Sequence, residues 1–128
     1  MKHEIIGGAL CLADGKPLPL SKAVRAGDFV FLSGQLGLTA QGQLAGSSIE
    51  TQTRQAVQNI SAILADAGAS LAHVIKSTVW LVERHDFSRF NQIYAEYFPH
   101  QPPARSTVVT GLVLPGALVE IEVVAYSP

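Results

Sequence analysis

Apolar residues along the chain recur at two spacings, and the switches between them mark out its elements. Ile5 to Ala13 is apolar and predicts a first strand; Asp14-Gly15-Lys16-Pro17-Leu18-Pro19 then reads as a turn or loop. Ala23-Val24-Arg25 and Phe29-Val30-Phe31-Leu32 flank Ala26-Gly27-Asp28, which predicts a hairpin. The glycine-rich stretch from Gly34 to Gly46 reads as a connecting loop.

Helical spacing follows. Ser47-Ser48-Ile49-Glu50 offers a capping box, with Ser47 as N-cap and Glu50 three residues on. Ala56, Val57, Ile60, Ile63, Leu64 and Ala67 keep the 3.6-residue period and define one buried stripe, and Gly68 supplies a stop. Val74 to Val82 is rich in β-branched residues and predicts a strand. Asp86 can cap a second helix with the stripe Phe87, Phe90, Ile93, Tyr94 and Tyr97, ended by Pro99. Arg105 to Leu112 and Leu118 to Tyr126 predict two last strands, joined around Leu114-Pro115-Gly116.

Strands, helix, strand, helix and two strands make an α+β chain whose two helices can cover one face of one sheet. In the last strand Val119, Ile121, Val123 and Ala125 share an apolar face, while Glu120, Glu122, Val124 and Tyr126 share the other. No third helix remains to cover that mixed face. Packing against further copies of the chain is the economical solution.

Composition sharpens this picture. A chain of 128 residues with no linker, repeat or low-complexity segment reads as one domain spanning 1–128. Only 15% of its residues are charged and 48% are hydrophobic, more apolar surface than one small core needs, which again points to an interface. The net charge is −1 and no basic run exists, so no electrostatic footprint for nucleic acid is present. No apolar stretch approaches the roughly 20 residues of a membrane span. Cys11 is the sole cysteine, which excludes an intramolecular disulfide. With no leader pattern at the N-terminus, a cytoplasmic location is expected.

Few residues are placed for chemistry. Arg105 and Thr107 point to one side of their strand, and Pro102-Pro103 stiffens the approach. A guanidinium there can hold a carboxylate through two parallel hydrogen bonds; the alternative is a surface ion pair. Glu120 and Glu122 interrupt a run of Val, Ile and Ala, where a carboxylate is either solvated or paired; one could pair with Arg105 and the other orient water. Periodicity does not choose between them. Asn91 sits between Phe87 and Tyr94 on the inner side of its helix and needs a hydrogen-bond partner, backbone or ligand. Ser33-Gly34-Gln35 closes the hairpin strand where a hydroxyl and bare backbone can meet a ligand, but it is no nucleophile elbow, since residue 31 is Phe. His3, His73, His85 and His100 lack ligand spacing, so no metal is expected, and Gly34, Gly37 and Gly42 fit no phosphate or dinucleotide fingerprint.

Together these pieces resemble the Rid (reactive intermediate deaminase) family. The resemblance spans about residues 18 to 126 and runs through Phe31-Leu32-Ser33-Gly34-Gln35, Gln52 to Gly68, Val74 to Val82, Asp86-Phe87, Asn91, Tyr94 and Phe98. Pro103-Ala104-Arg105-Ser106 followed by Val119-Glu120-Ile121-Glu122 is its most specific part. It implies a chorismate-mutase-like mixed sheet and a homotrimer with sites between subunits. It also implies cofactor-free hydrolysis of the 2-imino and enamine acids (2-aminoacrylate, 2-aminocrotonate) released by pyridoxal-phosphate enzymes. By the same resemblance Arg105 binds the substrate carboxylate, Glu120 handles the attacking water, and Ser33, Gly34 and Asn91 line the pocket. Two positions depart from the pattern. Leu20 stands where an aromatic often closes the pocket, and Thr107 stands where cysteine is frequent; both bear on substrate range. The competing readings are a carboxylate-binding regulatory trimer with little turnover and a ribonuclease. The absent basic patch and the unpaired histidines argue against the second.

Overall fold

A computed structural model describes residues 3–11 and 14–128. Its strands are β1 (Glu4–Cys11), β2 (Pro17–Ala26), β3 (Phe29–Leu32), β4 (Gln35–Leu36), β5 (Val74–Leu81), β6 (Ala104–Val109) and β7 (Val119–Tyr126). Two helices, α1 (Ile49–Asp66) and α2 (Phe87–Tyr97), complete the chain. The strands form one sheet in the order β1-β2-β3-β7-β5-β6, with β4 also paired to β7. All pairs are antiparallel except β5 and β6, which run parallel. Parallel neighbours need a crossover, and α2 provides it. The expected α+β architecture, a mixed sheet with two helices on one face, is present.

The core lies between the sheet and the helices. Val79, Leu81, Val119 and Ala125 are fully buried there against Ile60, Leu64 and Phe90 of the helical stripes. α1 ends in a Schellman motif. Gly68 takes a positive φ of 76°, its N–H donates to Ala65 O, and Ala69 N–H reaches back to Leu64 O. Arg25 on β2 closes the same helix end, donating to Ala67 O at 2.6 Å and to Ser127 O at 3.0 Å. Gln52, wholly buried in α1, donates to the carbonyls of Gly46 and Gly116 and accepts from Leu118 N–H. It pins the entry to β7 against α1.

Four local expectations are corrected. The N-cap of α1 is Ser48, not Ser47: Ser48 has extended backbone and its Oγ accepts from Thr51 N–H. The capping box therefore does not close, although Glu50 keeps its favourable place in the first turn. Asp86 stands at the N-cap of α2 but its carboxylate accepts no backbone N–H there, because it belongs to a 3₁₀ turn over Arg84–Asp86. β2 begins at Pro17, inside the predicted loop, since the β1 edge pairs Cys11 with Pro17. The stretch from Gly34 contains β4 rather than loop alone. Leu12 and Ala13, the end of the predicted first strand, lie outside the described residues. No helix among the described residues is long and apolar enough to cross a membrane.

Candidate functional site on two faces of one sheet

Residues directly opposite each other across strands point to the same face. Arg105 on β6 pairs with Ser77 on β5, and Ser77 is buried under α2. Arg105 and, two residues on, Thr107 therefore point to the helix-covered side, at the edge of the sheet. Glu120 on β7 pairs with Trp80 on β5 and with Leu36 on β4, one step out of phase with the buried row. It points to the opposite, open face. Along β5 their partners are three residues apart, and β5 lies between their strands, so each offset is about 10 Å. Within one chain Arg105 and Glu120 cannot touch a common small molecule.

The Arg105 guanidinium is held without being neutralised. Its Nη2 donates to Asn91 Oδ1 at 2.8 Å. Its Cζ lies 4.8 Å from the ring centroid of Tyr94, 5.4 Å from Phe90 and 5.8 Å from Phe87. Such rings attract a cation while taking none of its N–H donors. Among the described residues no carboxylate comes within salt-bridge distance of it. Tyr94 packs on Phe90 and Phe98 and shares a buried 2.6 Å hydrogen bond with Ser77. Burial pushes its phenol pKa up, opposed by the Ser77 hydrogen bond and by the charge and hydrogen bonding of Arg105. Beside Arg105 a groove of about 330 Å³ runs between α2 and Pro102-Pro103.

The second cluster forms around Glu120. Burial pushes its carboxyl pKa up, and the Glu122 charge two residues away adds to the rise. A Cβ at Gly34 would overlap the Glu120 carboxylate and come within 3.0 Å of Cδ, so a side chain here would displace that carboxylate. Ser33 Oγ donates to Ser21 O at 2.6 Å, its N–H donates to Lys22 O, and its carbonyl accepts from Gln35 Nε2. These bonds fix the backbone that brings Gly34 to Glu120. Leu20, 40% exposed, precedes Ser21 on β2. A separate hollow of about 470 Å³, between α1 and the segment from Gly34 to Gly42, is lined by neither Arg105 nor Glu120.

The candidate residues thus fall into two groups, Arg105 with Asn91 and Thr107, and Glu120 with Gly34 and the Ser33 that fixes it, while Leu20 lies further along β2. The structure does not join the groups. Sequence reasoning placed Phe87, Phe90 and Tyr94 in the core stripe and passed over their contact with Arg105; it did not single out Ser77. Their common helix face with Asn91 is the signal that could have found the aromatic seat.

Comparison with known proteins bears on these groups. Residues 16–127 match the family model described as Endoribonuclease L-PSP. The chloroplastic Reactive Intermediate Deaminase A of Arabidopsis thaliana is 43% identical over 84% of this chain and 58% of its own. The 3-aminoacrylate deaminase RutC of Acinetobacter baylyi is 39% identical over 98% of this chain and 99% of its own. The crystal structure of RidA from an Antarctic Psychrobacter superposes with a TM-score of 0.86 at 31% identity, covering 96% of this chain and 98% of that one.

Proposed function

The chain belongs to the Rid family, and from that premise we propose that it hydrolyses 2-imino acids and their enamine tautomers to 2-keto acids and ammonia. The working unit is a homotrimer in which Arg105 of one subunit faces Glu120 of the next. One observation carries this reading: Arg105 and Glu120 point to opposite faces of one sheet, each without an oppositely charged partner among the described residues. A second copy laid on the open face brings the two ends of one site together, with the substrate between them. The apolar residues of that face, Phe29, Phe31 and Tyr126, give it a reason to bind.

The chemistry then follows. The substrate carboxylate docks on the free edge of the Arg105 guanidinium, with Asn91 and Thr107 beside it. The imine carbon is already electrophilic, so neither a metal nor a covalent nucleophile is required. Glu120 takes a proton from water as the water oxygen bonds to that carbon and the C=N π electrons pass to nitrogen. The same proton is returned to nitrogen, giving the neutral carbinolamine; Glu120 then takes the hydroxyl proton and passes it to nitrogen too, so the C–N bond breaks as the C=O forms and ammonia leaves. A carboxyl with a raised pKa suits both steps, because its proton affinity moves towards the working pH. Gly34 leaves the space in front of Glu120 open, and Leu20 in place of an aromatic widens the range of side chains admitted. The substrates are 2-aminoacrylate and 2-aminocrotonate, handled in the cytosol.

The ribonuclease suggested by the family description finds less support. His73 is engaged with Ser70, and His85 lies beside Glu83 and Asp86.

Co-expression of Arg105→Ala and Glu120→Gln chains tests the reading. Random assembly joins an intact arginine to an intact glutamate in about one site in four. Each variant alone should be inactive towards freshly generated 2-aminoacrylate, and the mixture should recover roughly that share of activity. A mixture as dead as its parents rules out the shared site.

A further inference from the structure

We infer that Tyr94 is a positioning residue for substrate binding, acting through Arg105, and that its buried hydrogen bond to Ser77 is what gives it that role. The inference rests on the functional reading above.

The geometry closes a loop. Ser77 is the residue of β5 directly paired with Arg105 on β6. Its hydroxyl meets the Tyr94 hydroxyl at 2.6 Å, and the Tyr94 ring lies nearest of the three to the Arg105 guanidinium, at 4.8 Å. Phe90, at 5.4 Å, and Phe87, at 5.8 Å, carry no hydroxyl to tie them to the sheet. Tyr94 therefore fixes the separation between α2 and the strand pair at the level of the arginine. Asn91, one helical turn before Tyr94, is set by the same tether, and its Oδ1 takes one guanidinium N–H.

This arrangement solves a specific problem. A long arginine left free would lose rotamer entropy each time it gripped a carboxylate. An acidic residue would hold it still but would occupy the donors the substrate needs. A neutral ring steadies the cation from its face and leaves the forked edge free. The hydroxyl contributes because Ser77 and Tyr94 are both buried. Removing one oxygen strands the other, whereas removing both restores a matched apolar contact.

The test uses the full chain in its oligomeric state. Pyruvate binding is measured by calorimetry, turnover of 2-aminoacrylate by steady-state kinetics, and Arg105 Nε–H order by nitrogen-15 relaxation without ligand. Tyr94→Phe and Ser77→Ala should each weaken pyruvate binding by about five- to tenfold, raise KM in parallel and leave kcat within about twofold. Both should lower the Arg105 order parameter. The double variant should be no worse than either single one, since both act on one bond. Tyr94→Leu should weaken binding by about 100-fold through loss of the ring. A purely structural tyrosine would lower the melting temperature while leaving KM and arginine order unchanged, which overturns the inference. Additive losses in the double variant overturn it as well. If the unaltered protein neither binds pyruvate nor turns over the imine, the functional reading fails, and the substrate-binding role falls with it. The arginine order parameters still report whether Tyr94 holds Arg105.

Discussion

The two faces of the sheet are built from the same strands and differ in who covers them. On one face the chain closes over itself: Val79, Leu81, Val119 and Ala125 are fully buried, Ser77 finds a partner in Tyr94 and Arg105 in Asn91, and the Thr53 hydroxyl is left without one. On the other face Phe31 is 47% exposed and Tyr126 43%, and Glu120 and Glu122 stand two residues apart, in no ion pair among the described residues. Strand alternation alone puts Arg105 on the first face and Glu120 on the second. The covered face can position a charge because it is finished. The open face can hold a proton-accepting carboxyl out of water only when something else covers it.

Breaking the covered face should have the largest effect. Arg105→Ala removes the guanidinium seated to fork onto a substrate carboxylate, and losing one partner of a desolvated charged contact costs about 2–5 kcal/mol. Calorimetry with 2-ketobutyrate should then detect no binding, and turnover should be lost with it. Arg105→Lys should rescue little, since an ammonium neither forks nor lies flat on the Tyr94 ring. Breaking the open face should read differently. Glu120→Gln keeps the shape but cannot accept the proton, so kcat should fall by about 10²–10⁴ while product binding stays nearly intact. Glu122→Gln should be milder. If Glu122→Gln is dead and Glu120→Gln fully active, the wrong carboxylate has been assigned.

How much of this contrast was legible beforehand follows from what each signal depends on. The apolar row of Val119, Ile121, Val123 and Ala125 is a property of one strand, and alternation revealed it. The stripe of α1 is likewise local, as is the stop at Gly68, where positive φ favours glycine. The cap was displaced by one residue because Ser47 and Ser48 are chemically equal acceptors, and only the backbone at Ser48 selects it. β4 escaped notice because two residues carry no period; it exists through pairing with β7. That Arg105 and Glu120 face apart needed the register of three strands, which no local pattern contains. The aromatic seat of Arg105 was hidden for a related reason, since Phe87, Phe90 and Tyr94 look like core from their spacing whether or not a cation lies on them.

A smaller change tests whether the open face is an interface. Phe31 lies 6.4 Å from Phe29 by ring centroids, and Phe29 packs on Tyr126 at 5.2 Å, so the three make one aromatic patch. Fully burying a phenylalanine side chain is worth about 1.5–3 kcal/mol, and Phe31→Glu would instead bury a charge. Sedimentation equilibrium should show the unaltered chain as a trimer at micromolar concentration and Phe31→Glu as a monomer. Circular dichroism should change little, because Phe31 takes no part in the closed core. Activity should vanish although Arg105 and Glu120 are both intact. A stable monomer of the unaltered chain, or an active monomeric Phe31→Glu, removes the shared site.

The smallest expected effect is a gain. Burial and the neighbouring Glu122 charge raise the Glu120 pKa above its value in the unfolded chain, about 4.3. The folded protein therefore holds that proton more tightly than the unfolded one. The contribution to stability is fully present below pH 4 and is lost as pH rises through the folded value. Once charged, the carboxylate is partly desolvated and repelled, a state tolerated at functional sites for the sake of the chemistry. Glu120→Gln should accordingly raise the melting temperature at pH 7 by roughly 1–3 °C, a modest figure because the carboxylate remains partly exposed. The gain should shrink as pH falls and disappear near pH 4, where both proteins are neutral at this position. Glu122→Gln removes the repulsion from the other side and should show a fainter version of the same trend. Paired melting curves from pH 4 to 8 decide the matter: a Glu120→Gln chain less stable than the unaltered one at pH 7, by a margin that shrinks towards acid, would mean that a cation, supplied by the partner subunit, holds Glu120 ionised.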